Sequence, residues 1–203
     1  MIPSIRNYCD ELIKNFNFIS PERKIILKKI SNYISDKKKE NKQVNLIYIC
    51  THNARRSHFG HAWALTAINY FNLKNINAFS GGTETTAFHP NAVNALRRIG
   101  FIIEPTLNDK NPVYEITYNQ NSQPWKFFSK EFDHLENPQK DFAAILVCSD
   151  AEQNCPFVPG TDIRVLTSYN DPKDFDNTPE QDKNYDERCK QIALEVFYVF
   201  SKV

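Results

Sequence analysis

The segment Cys50-Thr51-His52-Asn53-Ala54-Arg55-Arg56-Ser57 puts a cysteine and an arginine at the two ends of a five-residue loop. It follows the apolar run Val44 to Cys50 and precedes a stretch with helical patterning. A loop wrapped between a strand end and a helix start points successive backbone N–H groups inward at the positive end of the helix dipole, which makes a nest for an anion. The same field favours a thiolate over a thiol. Arg56 ends in a planar fork that grips two oxygens of a tetrahedral oxyanion, and Ser57 carries a hydroxyl suited to donate to the sulfur. The chemistry of such a loop is attack by Cys50 on a bound oxyanion, with Thr51 to Ser57 as the binding ring. The competing reading of Cys50 is a buried strand-end cysteine, since free cysteine is common core material.

Composition narrows the setting. Twenty-five basic against twenty-four acidic residues leave a formal charge of +1, which gives no field to collect nucleic acid or an anionic membrane. Five glycines in 203 residues are too few for a glycine-rich nucleotide-binding fingerprint. Five cysteines are an odd number and far below the density of a disulfide scaffold. The N-terminal MIPSIRNYCDELIK lacks the apolar stretch of a signal peptide. The longest clean apolar run, Phe142 to Cys148, is much too short to span a bilayer. The expectation is a cytoplasmic protein with reduced thiols, one compact domain and an attachment.

The elements that must position the loop follow from periodicity. Residues 1–42 read as two helices. The first carries Ile5, Cys9, Leu12, Ile13 and Phe16 at helical spacing, and the second starts at the cap Ser20 with Pro21 and carries Ile26, Ile30, Tyr33 and Ile34. The lysine-rich Lys37 to Lys42 reads as a solvated linker. From Val44 onward strands and helices alternate: Val44 to Cys50, a helix from about Ser57 to Phe71, a strand at Ile76 to Ser80, and a helix from Pro90 closed by Gly100. Then come a short third strand in GFIIE, a strand in FAAILVC, a further element in Asp162 to Ser168, and a last helix from about Thr178 to Lys202. Alternation of this kind predicts an α/β parallel sheet covered by helices on both faces. Residues 111–137 break the scheme: two aromatic-rich stretches flank the turn-rich NQNSQ, which predicts an inserted hairpin. Its Tyr114, Tyr118, Trp125, Phe127 and Phe128 suit either a lid or a core extension.

With these elements placed, the chain resembles the low-molecular-weight protein tyrosine phosphatases and the thioredoxin-coupled arsenate reductases that share their fold. The family loop reads C-x-G-N-x-x-R-S, and Cys50, Asn53, Arg56 and Ser57 match it in register, with Trp63 where the reductases also carry Trp. Phe79 to Glu84 (FSGGTE) resembles the family's small-residue loop after the second strand, and Asn170-Asp171-Pro172 the Asp-Pro that supplies a general acid. The resemblance covers about Val44 to Val203. It implies a central parallel four-stranded sheet in a catalytic domain of residues 43–203, extended by the helices of residues 1–42. These helices are expected to pack on the sheet or on a partner subunit.

Two branches of the family do different chemistry. Phosphatases follow Asp-Pro with tyrosines, whereas Asp171-Pro172 is followed here by KDFD. The reductases carry two further cysteines in a CSDA…NCP context, and this chain reads CSDAEQNCP from Cys148 to Pro156. Thr51 after the nucleophile is also the reductase choice. The resemblance thus implies arsenate reduction by Cys50, Cys148 and Cys155 in relay, with Arg56 binding the oxyanion, Asp171 as acid and thioredoxin as reductant. A phosphatase using Cys50, Arg56 and Asp171 alone is the alternative. A third reading is a non-catalytic oxyanion-binding or redox-sensing module.

Several residues depart from the pattern. His52 stands where the family has Gly and is expected to crowd the loop or to need an unusual backbone angle. Arg55 replaces a residue that is often Cys. His61 replaces a Glu that helps some reductases bind potassium, so no cation is carried over. Near Cys50, His52, His58 and His61 lack a second Cys/His pair at structural spacing, so neither metal nor cofactor is expected. Asp162, Asp174 and Asp176 compete with Asp171 for the acid role, and Cys9 and Cys189 read as core.

Overall fold

The strand Val44–Cys50 (β1) is apolar because both of its faces are covered, and six of its seven residues are buried. The computed structural model describes residues 1–106, 109–149 and 157–203. Around β1 lie the strands β2 (Ile76–Gly82), β3 (Ile102–Pro105), β4 (Tyr114–Thr117), β5 (Trp125–Phe127), β6 (Phe142–Leu146) and β7 (Thr161–Leu166). The helices described are α1 (Pro3–Lys14), α2 (Pro21–Lys39), α3 (Arg56–Tyr70), α4 (Pro90–Ile99) and α5 (Gln181–Phe200).

Four strands form a parallel sheet in the order β2-β1-β6-β7. The register runs from Val44 opposite Ile76 to Cys50 opposite Gly82, and Ile49 lies opposite Leu146. The chain leaves β1 for β2 on one side and later returns to β6 on the other, so the strand order reverses at β1. In open parallel sheets the crevice at such a reversal, outside the carboxyl ends of the strands, is where ligands bind. Cys50, Gly82, Cys148 and the segment leading to Asp171 all follow carboxyl ends of this sheet.

GFIIE forms a strand, but not in the parallel sheet. β3 pairs antiparallel with β4, and β4 with β5, in a separate three-stranded sheet. The predicted hairpin is therefore present, with β3 as a third strand. It extends the core rather than forming a lid: Phe127 is buried, and Trp125 stacks on Tyr118 at 4.2 Å between ring centroids. The N-terminus is fastened to it by the Ile2 N–H, which donates to the Tyr118 carbonyl at 2.8 Å.

Helix α2 starts where Ser20 caps it, the hydroxyl accepting from the Arg23 N–H at 3.2 Å. It runs on through Lys37 to Lys39, so the first half of the lysine run is helical, and Lys37 pairs with Asp162 at 2.8 Å. Ile5, Cys9, Leu12, Leu27, Ile30 and Ile34 join the same buried cluster as the sheet. Tyr8 of α1 stacks on the buried Trp63 of α3, whose indole N–H donates to the Cys189 sulfur at 3.3 Å. Burial pushes the Cys9 and Cys189 thiols up to about 12, as expected of inert core cysteines. No described helix is long and apolar enough to cross a membrane.

Candidate active site

The loop between β1 and α3 is shaped from outside. The Cys50 carbonyl accepts from Thr83 N–H at 3.2 Å, the Thr51 carbonyl from Glu84 N–H at 2.8 Å, and the Ala54 carbonyl from His89 N–H at 2.9 Å. Ser129 Oγ donates to the His52 carbonyl at 2.9 Å and Thr86 Oγ1 at 3.3 Å. In a trans peptide the N–H points opposite to its carbonyl. Tying these four carbonyls outward therefore turns the N–H groups of Thr51, His52, Asn53 and Arg55 toward the loop interior, the arrangement an oxyanion requires.

The family glycine position tolerates His52. The left-handed backbone angle in this loop falls on Asn53, at φ 45°, and His52 is not among the positive-φ residues. Asparagine adopts that region at low cost. The His52 ring points outward, with Nε2 3.5 Å from Glu84 Oε2. Glycine is instead required at position 82, where a Cβ would lie 2.3 Å from the Glu84 carbonyl and 2.7 Å from the Thr51 carbonyl.

A chain of hydrogen bonds leads to the buried Cys50 sulfur. The Lys130 N–H donates to Asn53 Oδ1 at 2.9 Å, so Asn53 Nδ2 faces Ser57 and donates to its Oγ at 2.8 Å. Ser57 Oγ lies 3.0 Å from Cys50 Sγ. The hydroxyl that accepts from Asn53 therefore stands directly beside the sulfur, with a proton available to it. Arg56 is buried at the start of α3, with Nη1 donating to the Tyr169 carbonyl at 2.8 Å and Nη2 to Asp171 Oδ2 at 2.5 Å.

Of the four aspartates weighed, only Asp171 meets Arg56. Asp162 is held at the far end of the sheet by Tyr33 and Lys37, Asp174 is exposed, and Asp176 is taken by Arg55. Cys148 is buried just past β6, its sulfur 3.6 Å from Thr51 Oγ1. Cys155 lies outside the described residues.

The two helix histidines serve the core. Both Nδ1 atoms sit 3.3 Å from Ser80 Oγ, while the His58 ring lies against Phe88 and the His61 ring against Phe127, each at 4.1 Å. Burial first, and then the charge of the buried Lys130, hold both well below the usual histidine value. Sequence reading missed Ser129 and Lys130, which shape the loop through a hydroxyl and a backbone amide. It also missed Tyr185, whose hydroxyl accepts from Arg55 Nε at 2.6 Å.

No protein-family model matches the sequence. The arsenate reductase of Staphylococcus aureus (strain Newman) is 24% identical over 127 residues, 63% of this chain and 77% of its own. That of Halalkalibacterium halodurans is 26% identical over 141 residues, 70% of this chain and 82% of its own. Among solved structures, an arsenate reductase in the phosphate-binding state matches with a TM-score of 0.53 at 16% identity, over 79% of this chain and 97% of that one. A low-molecular-weight phosphotyrosine phosphatase from Vibrio cholerae O395 gives 0.52 at 12% identity, over 78% and 94%. At these identities the structural likeness speaks for the fold alone.

Proposed function

This chain has the fold of the low-molecular-weight protein tyrosine phosphatase-like superfamily, and from that premise we propose that it is an arsenate reductase working by a cysteine relay. The observation that carries this reading is Cys148, buried with its sulfur 3.6 Å from Thr51 of the oxyanion loop. Hydrolysis needs no thiol there, whereas a relay needs one beside the nucleophile. The relatives named as arsenate reductases support the same reading.

The chemistry runs as follows. Arsenate binds to the loop N–H groups and takes Arg56 from Asp171. Cys50 thiolate attacks the arsenic, and Asp171 gives a proton to the departing oxygen, which leaves as water. Cys148 then attacks Cys50: a sulfur–sulfur bond forms, the sulfur–arsenic bond breaks, and its electron pair stays on arsenic as arsenite departs. Cys155 attacks Cys148, which transfers the disulfide and frees Cys50, and a dithiol such as thioredoxin reduces the 148–155 disulfide.

The test is consumption of thioredoxin reductase's nicotinamide reductant with and without arsenate. Arsenate-dependent consumption that disappears in both Cys148→Ser and Cys155→Ser supports the relay. Full activity in either variant overturns it. Aryl phosphate hydrolysis alone favours the phosphatase, for which Cys50, Arg56 and Asp171 form a sufficient set. Oxyanion binding that survives in Cys50→Ser, with no turnover in the parent, favours the binding or sensing module.

A further inference from the structure

Two consecutive arginines of the oxyanion loop hold the two ends of one short turn. Pro172–Phe175 forms a single 3-10 turn bracketed by Asp171 and Asp176. Asp171 caps its start, Oδ1 accepting from the Lys173 N–H at 3.1 Å, and the Asp176 N–H closes its end on the Lys173 carbonyl at 2.9 Å. Arg56 binds Asp171, and Arg55 binds Asp176 Oδ2 at 2.8 Å.

The Arg55 contact is built in from several sides. Its Nε donates to the Tyr185 hydroxyl at 2.6 Å, and that hydroxyl donates to Asp176 Oδ1 at 2.7 Å. Asn91 of α4 donates to the same Oδ1 at 2.9 Å. Burial opposes ionisation of Asp176, but the Tyr185 and Asn91 hydrogen bonds and the Arg55 charge outweigh it and keep the carboxyl below its usual range. With its fork engaged on α5 and the turn, Arg55 gives its side chain to the scaffold and leaves the oxyanion to Arg56. One arginine donating to both the Tyr185 hydroxyl and the Asp176 carboxylate, which are themselves hydrogen-bonded, fixes geometry as well as contributing energy.

We propose that Arg55 is a positioning residue for the acid: by clasping Asp176 it keeps Asp171 beside the loop when an arriving oxyanion takes Arg56 away. In the resting state Arg56 holds Asp171 directly. Once Arg56 turns to substrate, the Arg55–Asp176 clasp still ties the turn to the loop. The proposal rests on the reading of Cys50 as nucleophile and Asp171 as acid.

The test is a double-mutant cycle on the Cys50-dependent turnover, with arsenate or 4-nitrophenyl phosphate as substrate. Arg55→Gln alone should lower kcat about 10- to 100-fold, a part of the 10²–10⁴ that a positioned acid supplies. KM should stay within a few-fold, and phosphate should still protect Cys50 from alkylation. In an Asp171→Asn background the same substitution should cost nothing further, because it acts through Asp171. Asp176→Asn breaks the clasp from the other side and should repeat the pattern if Arg55→Gln fails to fold. With aryl phosphates the loss should be larger for phenyl than for 4-nitrophenyl phosphate, whose leaving group needs little protonation. Additive losses, loss of phosphate protection, or an unchanged leaving-group dependence overturn the clasp. Turnover that survives Cys50→Ser, or absence of any turnover, overturns the underlying reading instead.

Discussion

Ser57 Oγ lies 3.0 Å from Cys50 Sγ, and the same hydroxyl oxygen accepts from Asn53 Nδ2 at 2.8 Å. A hydrogen bond contributes about 0.5–1.5 kcal/mol. Ser57→Ala should therefore slow alkylation of Cys50 by iodoacetamide by roughly 2- to 10-fold, with a parallel fall in turnover. Ser57→Thr, which keeps the hydroxyl, should restore much of both. Equal alkylation rates for Ser57→Ala and the parent would show that the sulfur receives its stabilisation elsewhere.

Asn53 combines a left-handed backbone with two buried hydrogen bonds. Asn53→Ala loses asparagine's tolerance of that backbone region, at about 1–2 kcal/mol, and leaves the Lys130 N–H without its partner, at about 1–3 kcal/mol. Denaturant unfolding should show a loss of roughly 2–5 kcal/mol from these two terms. Asn53→Gly relieves only the backbone part and should fall between the two. If Gly and Ala prove equal, the backbone angle is not a source of the cost.

What could be read from the sequence here follows from what each contact is made of. The loop from Cys50 to Ser57 was legible because six apolar residues of seven announce β1 and the Cys50 to Arg56 spacing is covalent. The placement of GFIIE was not, since a four-residue strand has no pattern that separates a parallel partner from Ile116 of the hairpin. Asp171 could not be told from its neighbours by type. Its distinction is a distance to Arg56, set by where β7 ends. The support from the insert was hidden for another reason: the Lys130 backbone N–H and carbonyl do the bonding, to Asn53 and Gly82, and every residue type but proline offers both groups.

Acid should destabilise the fold through His58 and His61. Both are buried and held well below their usual value, by burial first and then by Lys130. Between the folded and unfolded values the unfolded chain binds more protons, so stability is full above about pH 6.5 and falls as pH drops below it. Each histidine contributes a slope of up to about 1.4 kcal/mol per pH unit. Urea titrations at pH 7.5, 6.0 and 5.0 should show the loss, and Lys130→Met should make it shallower by removing the second cause. A midpoint independent of pH over that range would contradict the account.

Gly82 gives the sharpest steric prediction. It lies opposite Cys50 at the end of β2, with its N–H donating to the Lys130 carbonyl and its carbonyl accepting from Phe132 N–H, both at 2.9 Å. A Cβ there would sit 2.8 Å from Asn53 N as well as against two carbonyls, all of them backbone atoms with no side chain to swing aside. Gly82→Ala must push the Thr51–Asn53 peptides off the position that aims their N–H groups inward. Overpacking of this kind costs about 1–3 kcal/mol, yet the larger effect should be on function. Phosphate should protect Cys50 from alkylation at least tenfold less well than in the parent, at a temperature where both proteins are folded. Full protection in Gly82→Ala would mean that the oxyanion loop does not depend on this close approach.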